Sequence, residues 1–277
     1  MPVIAMTQEM GSLAKDVSLQ LAQTANLAVM RHEVQEHVAD RMHVPGSLIS
    51  RLREGKAGLV ERLTTDKERV AVYTAQEVFD LADKGNIVLR GWGATCLLRP
   101  VQHVVRVRVT RSFKKRVEWL MDHLGTDDEA FAEAELQRSD GAHASRMHEQ
   151  FGVTWGDPLL YDLVLNTDRV SVESCVAQIQ QLASRPEFQE TPASRAMLAN
   201  LALNARVRAA LKDHESTRDI NISIESDAGQ VVLSGIVLNA QESAEAARVA
   251  STVAGTARVD NQLRLMATTR RFTSAKY

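Results

Sequence analysis

Cysteine is scarce. Cys96 and Cys175 are too few for a disulfide framework and lack the C-x-x-C spacing of zinc or redox sites, so both read as buried free thiols. Net charge is nearly absent: at −2, the chain has no global pull toward nucleic acid or an acidic membrane surface, and any such attraction is local. No apolar run approaches the ~18 residues of a membrane span, so no transmembrane segment is predicted. The start lacks the basic, apolar and small-residue regions of a signal peptide; Met1 to Thr7 is strand-like and meets polar Gln8 and Glu9. A cytoplasmic location is the expectation. The histidines do not gather either. His32, His37 and His43 are five and six apart, and His143 and His148 five, whereas helical metal ligation wants i,i+3 or i,i+4; no metal site is predicted.

What is present is ordinary globular material: 277 residues, 44% hydrophobic and 25% charged, enough for one large domain and one small one. Pro2 to Met6 reads as a buried strand. A loop at Gln8 to Ser12 leads into a helix with Val17, Leu21, Ala25 and Ala28 on one face. Met30 to His43 is helical. Val44 to Gly58, with Pro45, Gly46, Gly55 and Gly58, reads as a mobile connection. Helices over 75–83, 112–123, 127–150 and 172–182 alternate with strands over 87–90, 104–109 and 161–166. This is α/β patterning, a parallel sheet flanked by helices. Arg185 to Ser194, with Pro186 and Pro192, opens a linker over 185–199 between a domain at 1–184 and a second at 200–268, with a tail at 269–277. In the second, a helix at 201–214 precedes Ile220, Ile222 and Ile224, which alternate with polar residues as a half-buried strand does. An Asp227-Ala228-Gly229 turn, a partner strand, an alanine-faced helix and a last strand at Val259 to Leu265 complete an αββαβ unit.

Two stretches carry chemistry. Between the first strand and first helix, Gln8 to Asp16 offers free backbone N–H groups, the positive end of a helix dipole and the point charge of Lys15, which suits a phosphate. Against the P-loop pattern GxxxxGK[ST], Glu9 and Ala14 stand at the glycines and Asp16 at the magnesium-binding hydroxyl. A plain strand-to-helix turn with Lys15 on the surface is the competing reading. The second stretch, Lys84 to Val117, has no acid but carries Arg90, Arg99, Arg106, Arg108, Arg111, Lys114, Lys115 and Arg116. Arginines there suit phosphate clamping; a solvated basic face is the alternative. No DNA-binding motif or aromatic interleaving supports nucleic acid. Asp157 and Asp162 fit either magnesium or, for Asp157-Pro158, a turn.

Together these segments resemble the cytidylate-kinase-like family of P-loop proteins over about residues 2 to 183. Glu9-Met10-Gly11-Ser12-Leu13-Ala14-Lys15-Asp16 echoes that family's Glu-Tyr-Gly-Ser-Gly-Gly-Arg-Glu, and Arg90-Gly91-Trp92-Gly93-Ala94 its Gly-Arg-Gly-Ala motif. Phe151-Gly152-Val153-Thr154-Trp155-Gly156-Asp157-Pro158 and Tyr161 to Thr167 follow in consistent order. The resemblance implies ATP and Mg²⁺ as cofactors, with Gly11, Ser12, Leu13, Ala14, Lys15 and Asp16 around the ATP phosphates. It implies Lys15, Arg116, Arg138 and Arg146 as catalytic residues, and Arg90, Gly91, Gly93 and Asp140 at the acceptor. Leu13 and Ala14 replace two loop glycines, Trp92 an arginine, and His143 the arginine of an Asp-x-x-Arg lid pair. Such losses cost a phosphoryl-transfer enzyme on the order of 10³-fold in rate.

The C-terminal unit resembles a BON domain, carried by Asp227 to Val231, Leu233-Ser234-Gly235, Gly255, Val259 and Asn261. Gly229 is expected in a tight turn, Gly235 where strand and helix pack closely, and Gly255 as a helix cap. BON domains imply binding of a ligand or protein partner, not catalysis. Three functions therefore compete: a phosphotransferase moving the ATP γ-phosphoryl to a nucleoside monophosphate or related acceptor, a degenerate nucleotide sensor reporting through the BON module, and a scaffold in which BON binding dominates.

Overall fold

The structure, a computed structural model, describes residues 2–30 and 32–266 and divides into two compact units, 1–199 and 200–277. The expected tail at 269–277 lies outside the described residues.

The first unit runs β1 (Val3–Gln8), α1 (Ala14–Ala25), β2 (Ala28–Met30), α2 (His32–Met42), α3 (Gly46–Glu54), α4 (Leu59–Thr64), α5 (Lys67–Lys84), β3 (Ile87–Arg90) and α6 (Ala94–Leu97). It continues through β4 (Val104–Thr110), α7 (Phe113–Leu124), α8 (Glu129–Phe151), β5 (Leu163–Asn166) and α9 (Val172–Ala183). The five strands form one parallel sheet in the order β2-β3-β1-β4-β5. β1 is central, and Val3 to Met6 are all at most 1% exposed, which is why the strand reads as an uninterrupted apolar run. Val17 and Leu21 of α1 and Val176 and Ile179 of α9 share one core with Ile4, Met6, Val105 and Val107 of the sheet. Side-chain caps fix several helix starts: Asp66 accepts from Arg69 N at 3.0 Å, Asp128 from Phe131 N at 2.9 Å, and Ser171 from Ser174 N at 3.2 Å.

Three expectations change. The stretch expected as a mobile connection is largely helical: α3 buries Ile49 completely. Its Pro45 is the N-cap, Gly46 the first helical residue, and Gly55 a left-handed C-terminal residue whose N–H donates to Arg51 O. Proline and glycine punctuate helix ends as readily as loops. Ala28, expected on the first helix, belongs to β2, because Asn26 turns left-handed and ends α1. The last helix of the chain's middle, α10 (Pro192–Asp213), starts nine residues ahead of the expected 201, inside the stretch read as linker. Pro192 opens it without loss of a bonded N–H, and Thr191 Oγ1 accepts from Ser194 N at 3.1 Å.

The second unit holds the end of α10, then β6 (Ser223–Asp227), β7 (Gln230–Val237), α11 (Ala240–Thr252) and β8 (Arg258–Leu265). β6 and β7 are antiparallel, and β7 and β8 parallel. Leu203, Val207 and Leu211 pack with Ile224, Val231, Leu233 and Val249. Gly235 has a different job from the one expected: at φ +140° it faces Ile222, not a helix, and a Cβ there would lie 3.2 Å from Ile222 Cγ2 and 3.3 Å from its Cα. Gly255 is not the cap either; Val253 is, and Gly255 follows in the turn. Gly235→Ala is expected to destabilise this unit by about 1–3 kcal/mol, read as a lower denaturation midpoint for residues 200–277 within the full chain.

Candidate functional site

Ligands of open parallel sheets sit beyond the carboxyl ends of the strands. Here those ends are Gln8, Met30, Arg90, Thr110 and Asn166. After Gln8 the chain makes a tight turn, with Ser12 N donating to Glu9 O at 3.2 Å, Gly11 at φ +79° and Leu13 at φ +61°, ψ +13°. Gly11 is needed twice over: besides its φ, a Cβ would sit 3.1 Å from Trp119 Cε3 and 3.3 Å from Arg116 Cα. The consequence is a set of backbone N–H groups, on Gly11, Leu13, Ala14, Lys15 and Asp16, that donate to nothing among the described residues. Successive amides of this kind at the positive end of α1 make an anion-binding concavity. Lys15 and Asp16 are exposed, and the Lys15 ammonium has no partner among the described residues. Ser12 Oγ is buried without a hydrogen bond.

The two lost glycines are not equivalent. Ala14 is 2% exposed and belongs to the sheet core, so its methyl fills the interior. Leu13 keeps a left-handed backbone with a Cβ, a conformation that costs about 1–2 kcal/mol.

Glu9 holds the turn. Its Oε1 accepts from Arg108 Nη2 at 2.5 Å, and its Oε2 from Thr110 Oγ1 at 2.6 Å and Arg111 N at 3.3 Å. Thr167 Oγ1 donates to Ser12 O at 2.9 Å from the other side. Arg116 and Asp140, expected at transferring and acceptor phosphates, form a bidentate pair with each other at 2.9 and 2.7 Å. Arg116 Nε also donates to Met10 O at 2.7 Å, and the residue is 4% exposed. Arg116 is thus a strut between the turn and α8.

Beyond β3, Gly91, Trp92 and Gly93 are three consecutive left-handed residues. Arg90 before them is 5% exposed, and Trp92 lies 3.4 Å beneath the Arg53 guanidinium. Both Arg53 and Trp92 line a cavity of about 620 Å³, together with Arg62, Lys67, Thr74 and Arg146. That volume suits a small molecule. Arg146 donates to Arg53 O and Ala142 O, and burial pushes its guanidinium down from its ordinary value. Arg138 does not line the cavity; it donates to Glu54 O at the end of α3 and is clasped by Glu135. A smaller cavity, about 380 Å³, lies at the other end of the sheet around Pro2, Leu27 and Phe188.

The segment from Phe151 to Asn166 proves to be packing for this site. Trp155 Nε1 donates to Thr7 Oγ1 at 3.1 Å, and its carbonyl accepts from Arg108 Nη1 at 2.9 Å and Tyr161 Oη at 2.7 Å. Asp157 caps a single 3₁₀ turn by accepting from Leu159 N, the turn alternative. Asp162 is taken by Arg106 through three bonds of 2.6 to 3.1 Å. Among the described residues no cluster of three or more His, Cys, Asp or Glu could hold a metal. His143 stacks on Trp155 at 4.2 Å. Burial, then the charges of Arg146, Arg53 and Arg108, push His143 down to about 3. Sequence reasoning missed Arg53, which sits in a basic stretch between two helix-end glycines, and the clamp made by Glu9, whose partners Arg108 and Thr110 lie 99 and 101 residues away and leave no local signal.

Two outcomes follow from this geometry. Leu13→Gly relieves the left-handed Cβ against the extra chain entropy of glycine, and should raise stability by about 0.5–1 kcal/mol in chemical denaturation. For His143 the unfolded chain binds the proton first, so stability is fully present above the ordinary value of 6.5 and falls as pH drops toward about 3. His143→Gln should flatten the melting temperature against pH between those values; an unchanged profile would show that the ring is protonated in the folded state.

Comparison with known proteins then gives the family. Residues 3–169 match the cytidylate kinase-like family and residues 200–267 the BON domain. A crystal structure of an uncharacterized protein from Eubacterium ventriosum ATCC 27560 superposes with a TM-score of 0.53 at 18% identity, covering 67% of this chain and 100% of that one. A looser likeness, with a TM-score of 0.42 at 15% identity, covers 66% of this chain and 99% of shikimate kinase from Bacteroides thetaiotaomicron. The osmotically-inducible protein Y of Escherichia coli (strain K12) is 31% identical over 105 residues, 36% of this chain and 52% of that protein. The chain thus spans about half the length of the curated relative it matches. Since the match over 3–169 takes in more than half of 277 residues, the chain belongs to the cytidylate kinase-like family and carries a BON domain after its kinase-like unit.

Proposed function

We propose that the first unit binds ATP and transfers its γ-phosphoryl to a nucleoside monophosphate or a related acceptor. The carrying observation is the set of N–H groups at Gly11 and Leu13 to Asp16 that are unshared among the described residues, beside the Lys15 ammonium, which has no partner among them. Those amides would hold the β- and γ-phosphates, and Lys15 would add a point charge. ATP fits this cradle because the amides need a partner. Mg²⁺, which keeps most of its water and leans on substrate phosphates, needs only one or two carboxylates; Asp16 is the exposed one at hand. When bound, it neutralises phosphate charge. The acceptor would occupy the cavity beside Trp92, with Arg53 and Arg146 supplying positive charge; Arg90, Gly91 and Gly93, expected at the acceptor, flank Trp92 in sequence but do not line the cavity. Since phosphoryl transfer is mostly positioning and charge neutralisation, no covalent work is asked of the side chains. An ATP-dependent reaction fits a cytoplasmic location, and among the described residues no helix is long and apolar enough to cross a membrane. The BON unit would add binding of a ligand or protein partner.

A second reading, nucleotide sensing without transfer, draws on the commitment of Arg116, Arg138 and Arg146 to protein acceptors. One experiment separates the two. Full-length protein with ATP, Mg²⁺ and CMP, UMP, dCMP or AMP should yield ADP, and Lys15→Ala should lower the rate by on the order of 10²-fold. A rise in melting temperature with ATP but no ADP would select sensing; linkage predicts roughly 2.7 kcal/mol at 100 times the Kd. If neither occurs, both readings fail.

A further inference from the structure

Arg111 follows the last residue of β4 and is fixed by its backbone. Its N–H donates to Glu9 Oε2 at 3.3 Å. Its neighbours hold both sides: Thr110 Oγ1 donates to the same oxygen at 2.6 Å, and Ser112 N donates to Asp168 Oδ1 at 2.9 Å. Residues 110–112 therefore bridge the Glu9–Ser12 turn and the loop after β5, at the sheet end that carries the unshared amides.

The side chain is unlike the other arginines of this region. Between residues 106 and 146, Arg106 is bonded to Asp162, Arg108 to Glu9, Arg116 to Asp140, Arg138 to Glu135, and Arg146 to backbone carbonyls. Arg111 is half-buried, and its Nε is shielded from solvent with no hydrogen-bond partner. No described group accepts from the rest of its guanidinium. The nearby carboxylates are already engaged. Glu9 is filled by Arg108 and Thr110, and Asp168 is held below its ordinary range first by the Ser112 N–H, with Lys115 and Arg111 adding charge. A buried guanidinium N–H without a protein acceptor is costly, and in a native fold it calls for a water, an ion or a ligand as partner.

We infer that Arg111 is a phosphate-contacting residue for the polyphosphate chain of a nucleoside triphosphate held on the amides of Gly11 and Leu13 to Asp16. The inference rests on the nucleotide-binding reading above. It adds a guanidinium that can bridge two phosphate oxygens where Lys15 supplies a single point charge.

Calorimetric titration of the full chain with ATP and with inorganic triphosphate tests it, using wild type, Arg111→Ala and Arg111→Lys, alongside melting without ligand. Arg111→Ala should weaken both ligands by about ten- to a hundredfold, Arg111→Lys should recover part of the loss, and the ligand-free melting temperature should hold or rise because an unpaired buried N–H is removed. Equal affinity in Arg111→Ala overturns the inference while leaving nucleotide binding intact. So does a loss confined to ATP, which would mark a contact to the base or sugar. A lower ligand-free melting temperature in both variants would mark a structural arginine and overturn it as well. Wild type that binds neither ligand sinks the nucleotide reading itself.

Discussion

The Glu9 carboxylate is the contact on which the rest of the site depends. It lies between β1 and β4 with both oxygens filled, by Arg108, Thr110 and the Arg111 N–H, and the Glu9–Arg108 side chains are only 12% and 8% exposed. A buried ion pair contributes little net stability unless its remaining lone pairs are satisfied, but removing one partner from it is severe. Here they are satisfied, so the carboxylate acts as a fixed bracket. Through it the turn is tied to the end of β4, and through Arg116 and Met10 O to α7 and α8. That over-determination is what lets Leu13 stay left-handed and lets several amides go unshared, two unfavourable features that would otherwise relax.

The arginines divide by what they touch. Arg106, Arg108 and Arg116 each face a carboxylate, and their charge is neutralised inside the protein. Arg53 and Arg146 face the cavity and, with Arg108, help hold His143 neutral well below its ordinary value. Burial is the larger cause of that suppression, and the smaller contribution of the three guanidinium groups reports a positive potential around the ring. Such a potential favours a multiply charged anion, and it is generated by residues spread over α3, β4 and α8 rather than by one motif.

How much of this could be read from the sequence differs by element. A strand buried on both faces betrays itself as a run such as Val3 to Met6, so the parallel sheet was legible from its longer strands, whereas the three-residue β2 was read as helix. Val44 to Gly58 was misread because Pro45, Gly46 and Gly55 have the same chemistry at a helix end as in a loop, and only the burial of Ile49 decides between them. The turn between β1 and α1, where a phosphate is proposed to sit, was legible by position as a strand-to-helix turn. The fate of Arg116 was not: its partner Asp140 lies 24 residues away on another helix, and nothing local distinguishes it from Arg111 in the same acid-free stretch. Partnering is a property of tertiary structure, so an arginine count locates a basic region without saying which members of it remain available.

The departures from the P-loop pattern weigh differently once side-chain direction is known. A glycine in such a loop serves either to permit a left-handed backbone or to leave room for phosphate. At position 14 neither service is lost, because Ala14 begins α1 with helical geometry and sends its methyl into the core beside Val17 and Leu21. At position 13 the backbone service is kept at an energetic cost, and the space beside the amides is shared with a half-buried leucine. A carboxylate at position 16 adds negative charge near the same amides, which opposes anion binding unless a cation intervenes. Under the proposed function, the loop would therefore favour a polyphosphate accompanied by Mg²⁺ over a bare anion. In that arrangement Lys15, Arg111 and the metal would share a charge that no one of them neutralises alone.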